Sequence, residues 1–164
     1  MLLTVNMLIQ TVQGSEKTVE RVLWINSDYS MAVVIDIHAN KSTPTFKNVE
    51  DIMQLIEEGR ATVLTEDPYS IFVTEKEISE KERLVRDKAW EIINVIARKE
   101  SEPEIFDVKR RVELIKKAST NSGVSEKTIY KYLRRFWQRG KHKNALLPDY
   151  KNIGGKGLEK KNHR

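Results

Sequence analysis

Apolar positions along this 164-residue chain change their period twice. Over residues 5–13 and 18–26, Val, Ile, Leu and Trp alternate or cluster on either side of Gly14-Ser15. That is the pattern of two strands joined in a hairpin. Residues 30–38, SMAVVIDIH, form a third, β-branched run between Asp28-Tyr29 and Asn40, and Pro44 ends the loop after it. From Val49 the period becomes helical. Val49, Ile52, Met53 and Ile56 share one face, Asn48 is placed to cap it, and Gly59 to stop it. Ala61–Leu64 reads as a return strand and Asp67-Pro68 as a turn. Residues 1–73 therefore form a small α+β module, near the lower size limit for independent stability.

The second change comes near residue 75, where Glu, Lys and Arg crowd an apolar stripe of Leu84, Ala89, Trp90, Ile93 and Ile96-Ala97. The stripe predicts one long helix from about Ser79 to Lys99, so that residues 74–100 supply the first helix of a bundle. Ser101-Glu102-Pro103 breaks it, and Pro103 suits the first turn of the next helix. Phe106, Val108, Val112, Ile115 and Ala118 carry that second helix to about Thr120. Asn121-Ser122-Gly123 is the turn. Ser125 is placed to cap a third helix, its hydroxyl accepting from the amide of Lys127 or Thr128. The third helix runs over 125–138, and Arg139-Gly140 ends it. Residues 144–164 hold Pro148, three glycines and few apolar side chains after Leu147, which predicts a basic extended linker or tail. The fold class is α+β. A small β-rich module is followed by a three-helix, homeodomain-like helix-turn-helix module over 101–143 and its preceding helix, and then by the tail.

Composition narrows the function classes. With 39% hydrophobic and 32% charged residues, the chain has material for a core under a heavily solvated surface. It has no cysteine, which removes disulfides, thiolate metal sites and cysteine nucleophiles. Three histidines, His38, His142 and His163, lack ligand spacing. The apolar N-terminus has no basic region before it and is interrupted by Thr4, Asn6, Gln10 and Thr11, so it is not a signal peptide. No run is long enough to span a membrane. The expected location is cytoplasmic, in a bacterial nucleoid-associated setting.

Net charge is +5, but its distribution matters more. Residues 1–80 carry 6 basic and 13 acidic side chains, whereas residues 123–164 carry 12 basic and 3 acidic. The basic end should seek a polyanion that the acidic half avoids. Within that end the third helix separates two roles by angle. Ile129, Leu133 and Phe136, with Tyr132 alongside and Val124 ahead of the cap, form the buried face. Lys127, Lys131, Arg134 and Gln138 form the opposite stripe, flanked by Thr128 and Arg135. Lys and Arg can donate to guanine O6 and N7, and Thr offers a hydroxyl and a methyl. Lys127, Thr128, Lys131 and Arg134 are therefore the expected base contacts. Ser125, Tyr130, Arg135, Arg139, Lys141, Lys143 and Lys151 are the expected DNA backbone contacts. A solvated basic helix in an ordinary bundle would share this pattern. The three helices in order, the Gly123-Val124-Ser125 segment and the basic arm favour DNA binding. The turn is one residue longer than in the commonest repressor-type pattern, as in homeodomain-like variants.

Several pieces of the chain resemble the N-terminal DNA-binding region of the TnsB-type transposases, Mu-like enzymes of the DDE, RNase H-like superfamily. They are Glu58-Gly59-Arg60, Asp67-Pro68-Tyr69, Lys127-Thr128-Ile129-Tyr130-Lys131, Leu133-Arg134-Arg135-Phe136-Trp137-Gln138-Arg139-Gly140, and Asn144-Ala145-Leu146-Leu147-Pro148-Asp149-Tyr150-Lys151-Asn152. The likeness is close over 124–152 and looser over most of the rest. It implies that the substrate is double-stranded DNA at transposon end repeats, and that the chain supports transposition and integration. Further partners would be other transposition proteins, with no membrane and no small-molecule ligand. In that family a separate RNase H-like core joins DNA ends with three carboxylates and magnesium. The sequence stops at Arg164, so the expectation is a non-enzymatic part of a DDE transposase, or a short relative that binds ends without cutting. No cofactor is expected for it, magnesium belonging to the absent core.

Residues 33–38, VVIDIH, imitate the first strand of an RNase H-like core, yet no second and third carboxylate strands follow at suitable spacing. Asp36 and His38 are read as a solvated strand face, Glu57/Glu58 and Glu66/Asp67 as helix-end and turn residues. Trp24 and Trp90 are read as core, while Trp137 could pack under the arm or cover the bundle. Two other functions use the same features: a protein-interaction adaptor docking through the acidic front module, and a helix-turn-helix transcription regulator, which would need a palindromic site and a dimer.

Overall fold

The computed structural model describes residues 1–70 and 73–148. Leu8–Gln13 (β1) folds back on Glu16–Ile25 (β2) across the Gly14-Ser15 turn, and Met31–Asp36 (β3) pairs with β2 on its other side. Thr45–Asn48 (β4), Val49–Glu57 (α1) and Ala61–Val63 (β5) complete an antiparallel sheet in the order β4-β3-β2-β1-β5. The strand β4 has no signature in the sequence, because TFKN contains one apolar residue. Its backbone is held by pairing from Val34↔Thr45 to Met31↔Asn48. Asn48 takes the capping position of α1, but its side chain accepts no amide there. It donates instead to Asp51 Oδ2 at 3.3 Å.

Successive residues of β2 and β3 point to opposite faces, so the sheet is covered on both. Val22, Ala32 and Val34 pack with Val49 and Ile52 of α1 on one face. Leu23, Val33 and Ile35 on the other face enter a core that also contains Ile93, Phe106, Ile115, Ile129, Leu133 and Trp137. The sheet and the helices thus share one core.

The helices are Glu80–Ala97 (α2), Val108–Ser122 (α3) and Glu126–Gln138 (α4). Ser79 and Glu82 close a capping box at the start of α2. Its buried line is Arg86, Ala89, Ile93, Ile96 and Ala97. Leu84, expected on that stripe, is 64% exposed. It lies five residues before Ala89, about 140° away around the helix. Pro103 does not enter α3. It precedes a 3₁₀ turn, Glu104–Phe106, and Asp107 caps α3 by accepting from the Arg110 amide at 3.0 Å. Val108 and Val112 of the expected apolar face are exposed. Arg111 takes the inward position, because its Nη1 donates to the carbonyls of Ile105 (3.3 Å) and Phe106 (2.9 Å), which the 3₁₀ turn leaves open.

The helix α3 continues through Asn121-Ser122, and the turn is Gly123-Val124-Ser125 instead of the expected Asn121-Ser122-Gly123. Gly123 ends α3 in the left-handed region at φ 77°, where a residue without Cβ fits best. Ser119 Oγ donates to the Val124 carbonyl at 2.7 Å and braces the turn. After α4 the chain does not extend at Asn144. Lys143–Leu146 is a 3₁₀ turn, and Ala145, Leu146 and Leu147 are buried. Three consecutive apolar residues in a basic segment anchor it, and the rest of the expected tail, from 149, lies outside the described residues.

Candidate nucleic-acid interface

The helix α4 starts at Ser125, whose Oγ accepts from the Thr128 amide at 3.2 Å and donates to Thr128 Oγ1 at 3.0 Å. Ile129, Leu133, Phe136 and Trp137 are its buried side chains. Trp137 is buried in the shared core that holds both bundle residues and Leu146 of the arm, with its ring centroid 5.6 Å from that of Phe106. Trp24 and Trp90 are each half-buried, Trp90 with its ring centroid 5.5 Å from that of Phe136.

The opposite stripe divides halfway along its length. Lys127 and Lys131 are exposed and Thr128 is half-buried beside them. Arg134 and Gln138 instead grip the β3–β4 loop. Arg134 Nε donates to the Ser42 carbonyl at 3.1 Å. Gln138 Nε2 lies 2.9 Å from the Asp36 carbonyl, 2.8 Å from the Ala39 carbonyl and 2.9 Å from Ser42 Oγ. The Asp36 carboxylate folds back onto the amides of His38 (2.8 Å) and Ala39 (3.2 Å), which is the work of a turn residue.

The remaining expected backbone contacts have diverse surroundings. Tyr130 is half-buried against the shared core. Arg135 is half-buried. Arg139 lies over the Tyr69 ring, 5.4 Å from its centroid. Lys143 Nζ sits 3.1 Å from Asp87 Oδ1, and the Asp87 carboxyl is held below its usual value by hydrogen bonds from Arg86 and then Lys143. Lys141 is turned inward. Its Nζ is 2.6 Å from Glu102 Oε2 and donates to the Leu23 carbonyl at 2.8 Å. Burial raises the Glu102 carboxyl above its ordinary value, against the opposing pull of Lys141. Lys151 lies outside the described residues.

Sequence reasoning passed over Arg21, which is fully buried. Its Nε donates to the Gln138 carbonyl at 3.2 Å, and its two terminal nitrogens meet Asp67 Oδ2 at 2.7 Å and Oδ1 at 2.9 Å. The available signal was strand alternation, which sets Arg21 on the same side as Val19 and Leu23.

Between the β3–β4 loop and α4 lies an open cleft of about 250 Å³, lined among others by His38, Asn40, Lys131, Arg134, Arg135 and Arg139. No grouping of three or more His, Asp or Glu side chains suited to a metal ion occurs among the described residues. No helix among them is long and apolar enough to cross a membrane.

This architecture defines a protein built from a five-stranded antiparallel sheet and a three-helix module joined through one core. The TnsB N-terminal SH3-like domain matches residues 2–68 and the TnsB second domain matches residues 86–150, so the chain belongs to the TnsB family. It is 35% identical over 147 residues to the transposon Tn7 transposition protein TnsB of Escherichia coli, an alignment covering 84% of this chain. The chain spans about 20% of the length of that relative.

Proposed function

We propose that this chain binds duplex DNA sequence-specifically at the end repeats of a mobile element, as the N-terminal part of a transposase. In this reading α3, the Gly123-Val124-Ser125 turn and α4 act as a helix-turn-helix, with α4 in the major groove. The observation that carries it is the capped first half of α4, which presents exposed Lys127 and Lys131 beside Thr128. In helix-turn-helix proteins the N-terminal residues of the recognition helix meet base edges. The division of the stripe fits that docking, since the half of α4 tied to the sheet is the half that lies away from the bases. Ser125 and the first amides of α4 suit a phosphate. Arg134 keeps its terminal nitrogens for the edge of the groove, and Arg135 and Arg139 flank the backbone. Lys141 supports the fold rather than the DNA in this reading. No cofactor is required for binding.

The family membership and the likeness to a transposition protein support the mobile-element substrate. An electrophoretic shift on transposon-end duplex against scrambled duplex tests the reading. Wild type should prefer the end, and Lys131→Ala should lose about 1–3 kcal/mol of that preference. Equal affinity for both duplexes would remove sequence specificity.

A further inference from the structure

We infer that the β3–β4 loop of the sheet module, residues 37–43, is part of the DNA interface, and that the cleft between this loop and α4 receives a backbone phosphate next to the recognition helix. The inference rests on the reading of α4 above and extends it to a module that carries more acidic than basic residues.

Four observations carry it. The loop is fixed against the outward stripe of α4 by Arg134 and Gln138, through the Asp36, Ala39 and Ser42 carbonyls and Ser42 Oγ. Lys131, on the same stripe, lines the cleft beside this loop. The cleft collects cations from one side, Lys131, Arg134, Arg135 and Arg139, and the side chains of His38 and Asn40 from the other. Its lining suits a phosphate better than a base edge, because four of the residues that line it carry a guanidinium or ammonium group. The neighbouring acidic side chain, Asp36, is turned onto the amides of His38 and Ala39, and Lys41 is exposed on the loop. The sheet module is acidic as a whole, yet the segment that faces α4 is not: residues 37–43 hold one Lys, one His and no carboxylate.

Arg134 and Gln138 then act as positioning residues. They set the loop at a fixed height beside the helix, so the phosphate contact and the base contacts share one register. The front module is held rigidly as a second wall of the DNA site.

The experiment uses the full chain and transposon-end duplex. Binding is titrated across a salt series for wild type, Lys41→Ala, Ala39→Glu and Gln54→Glu. Residues 39 and 41 are exposed on the loop, whereas Gln54 is exposed on α1, across the sheet from the helices. All three variants change net charge by the same amount. Lys41→Ala and Ala39→Glu should weaken binding severalfold and flatten the dependence of log affinity on log salt by about 0.9 for each phosphate no longer neutralised. Their preference for end over scrambled duplex should stay as in wild type, and Gln54→Glu should match wild type throughout. Loop variants with wild-type affinity and slope overturn the inference and leave the α4 reading standing. An equal loss in Gln54→Glu would show a general charge effect and also overturn it. A wild-type chain that binds no duplex removes both readings.

Discussion

Arg21 and Asp67 face each other with two parallel contacts, 2.7 Å and 2.9 Å long, at the point where the sheet, the Asp67-Pro68 turn and α4 meet. Such paired geometry is specific to a guanidinium and a carboxylate. The third nitrogen, Nε, holds the Gln138 carbonyl at the end of α4, and Nη1 also reaches the Asn6 carbonyl at 3.2 Å. One buried side chain on β2 thereby ties together the N-terminal segment, the Asp67-Pro68 turn and α4. Arg21→Met should destabilise the chain by about 3 kcal/mol, the low end for breaking a buried pair, since Asp67 keeps some solvent. Arg21→Lys should restore little, because an ammonium cannot reproduce the fork. Urea unfolding followed by tryptophan fluorescence measures both.

The same pair sets an acid limit. Burial would raise the Asp67 carboxyl, but hydrogen bonds from Arg21 and the Tyr69 amide outweigh it and hold Asp67 below its ordinary value. A carboxyl depressed by folding contributes stability above its unfolded value and loses it as pH falls through the folded one. Wild type should therefore weaken progressively below about pH 4, the ordinary range for aspartate. Asp67→Asn should be less stable at neutral pH and should fall less steeply in acid. Urea midpoints from pH 7 to pH 3 check the crossover, and parallel slopes for the two proteins would disprove it.

Glu102 carries the opposite sign. Its carboxyl is raised by folding, so its ionisation opposes the fold as pH rises through that raised value. Lys141 relieves the cost. Lys141→Met leaves Glu102 buried without its partner and should cost about 3 kcal/mol at neutral pH. The deficit should shrink in mild acid, where Glu102 takes up a proton. Combining Lys141→Met with Glu102→Gln should recover much of the loss. A deficit independent of pH would show that packing against Phe106, rather than charge, is what Lys141 supplies.

Gln138 and Lys131 lie on one stripe of α4 yet should fail differently. Gln138→Ala loosens the β3–β4 loop and should cost about 1 kcal/mol of stability for each net hydrogen bond removed. It should lower affinity for end and scrambled duplex alike. Lys131→Ala should instead lower the end-over-scrambled ratio with stability unchanged. Melting temperatures and paired binding curves separate the two outcomes.

Gly123 tests the turn. A Cβ there would meet nothing within 4 Å, so the only penalty for Ala is its φ of +77°. Gly123→Ala should cost about 1–2 kcal/mol and keep binding at temperatures well below melting. Ser125→Ala, which removes the cap, should cost about 1 kcal/mol. Thermal melts measure both, and a much larger loss at Gly123 would point to a clash.

The sequence by itself determined the elements that carry a strong period or a capping residue. β1, β2 and β3, α1 with its Gly59 stop, α2 behind Ser79, and α4 behind Ser125 all follow from local spacing, because a strand or helix with one buried face must repeat its apolar residues at its own pitch. The angular separation on α4 was legible for the same reason. What spacing could not supply was the partner of each polar residue. Arg134 and Gln138 stand in register with Lys127 and Lys131, and nothing local says that a loop ninety-odd residues earlier in the chain occupies half of that stripe. Arg21, Arg111 and Lys141 belong to residue types that are mostly exposed, yet each is drawn inward to carbonyls or a carboxylate from outside its own element. β4 is held by pairing with the edge of β3, and the turn Lys143–Leu146 packs against α2 and α4 while Leu147 joins Leu8, Val19 and Tyr69. Burial of a charge and pairing of a weak strand depend on groups brought together only by the fold, so the tertiary structure alone decided that sheet and helices form one body.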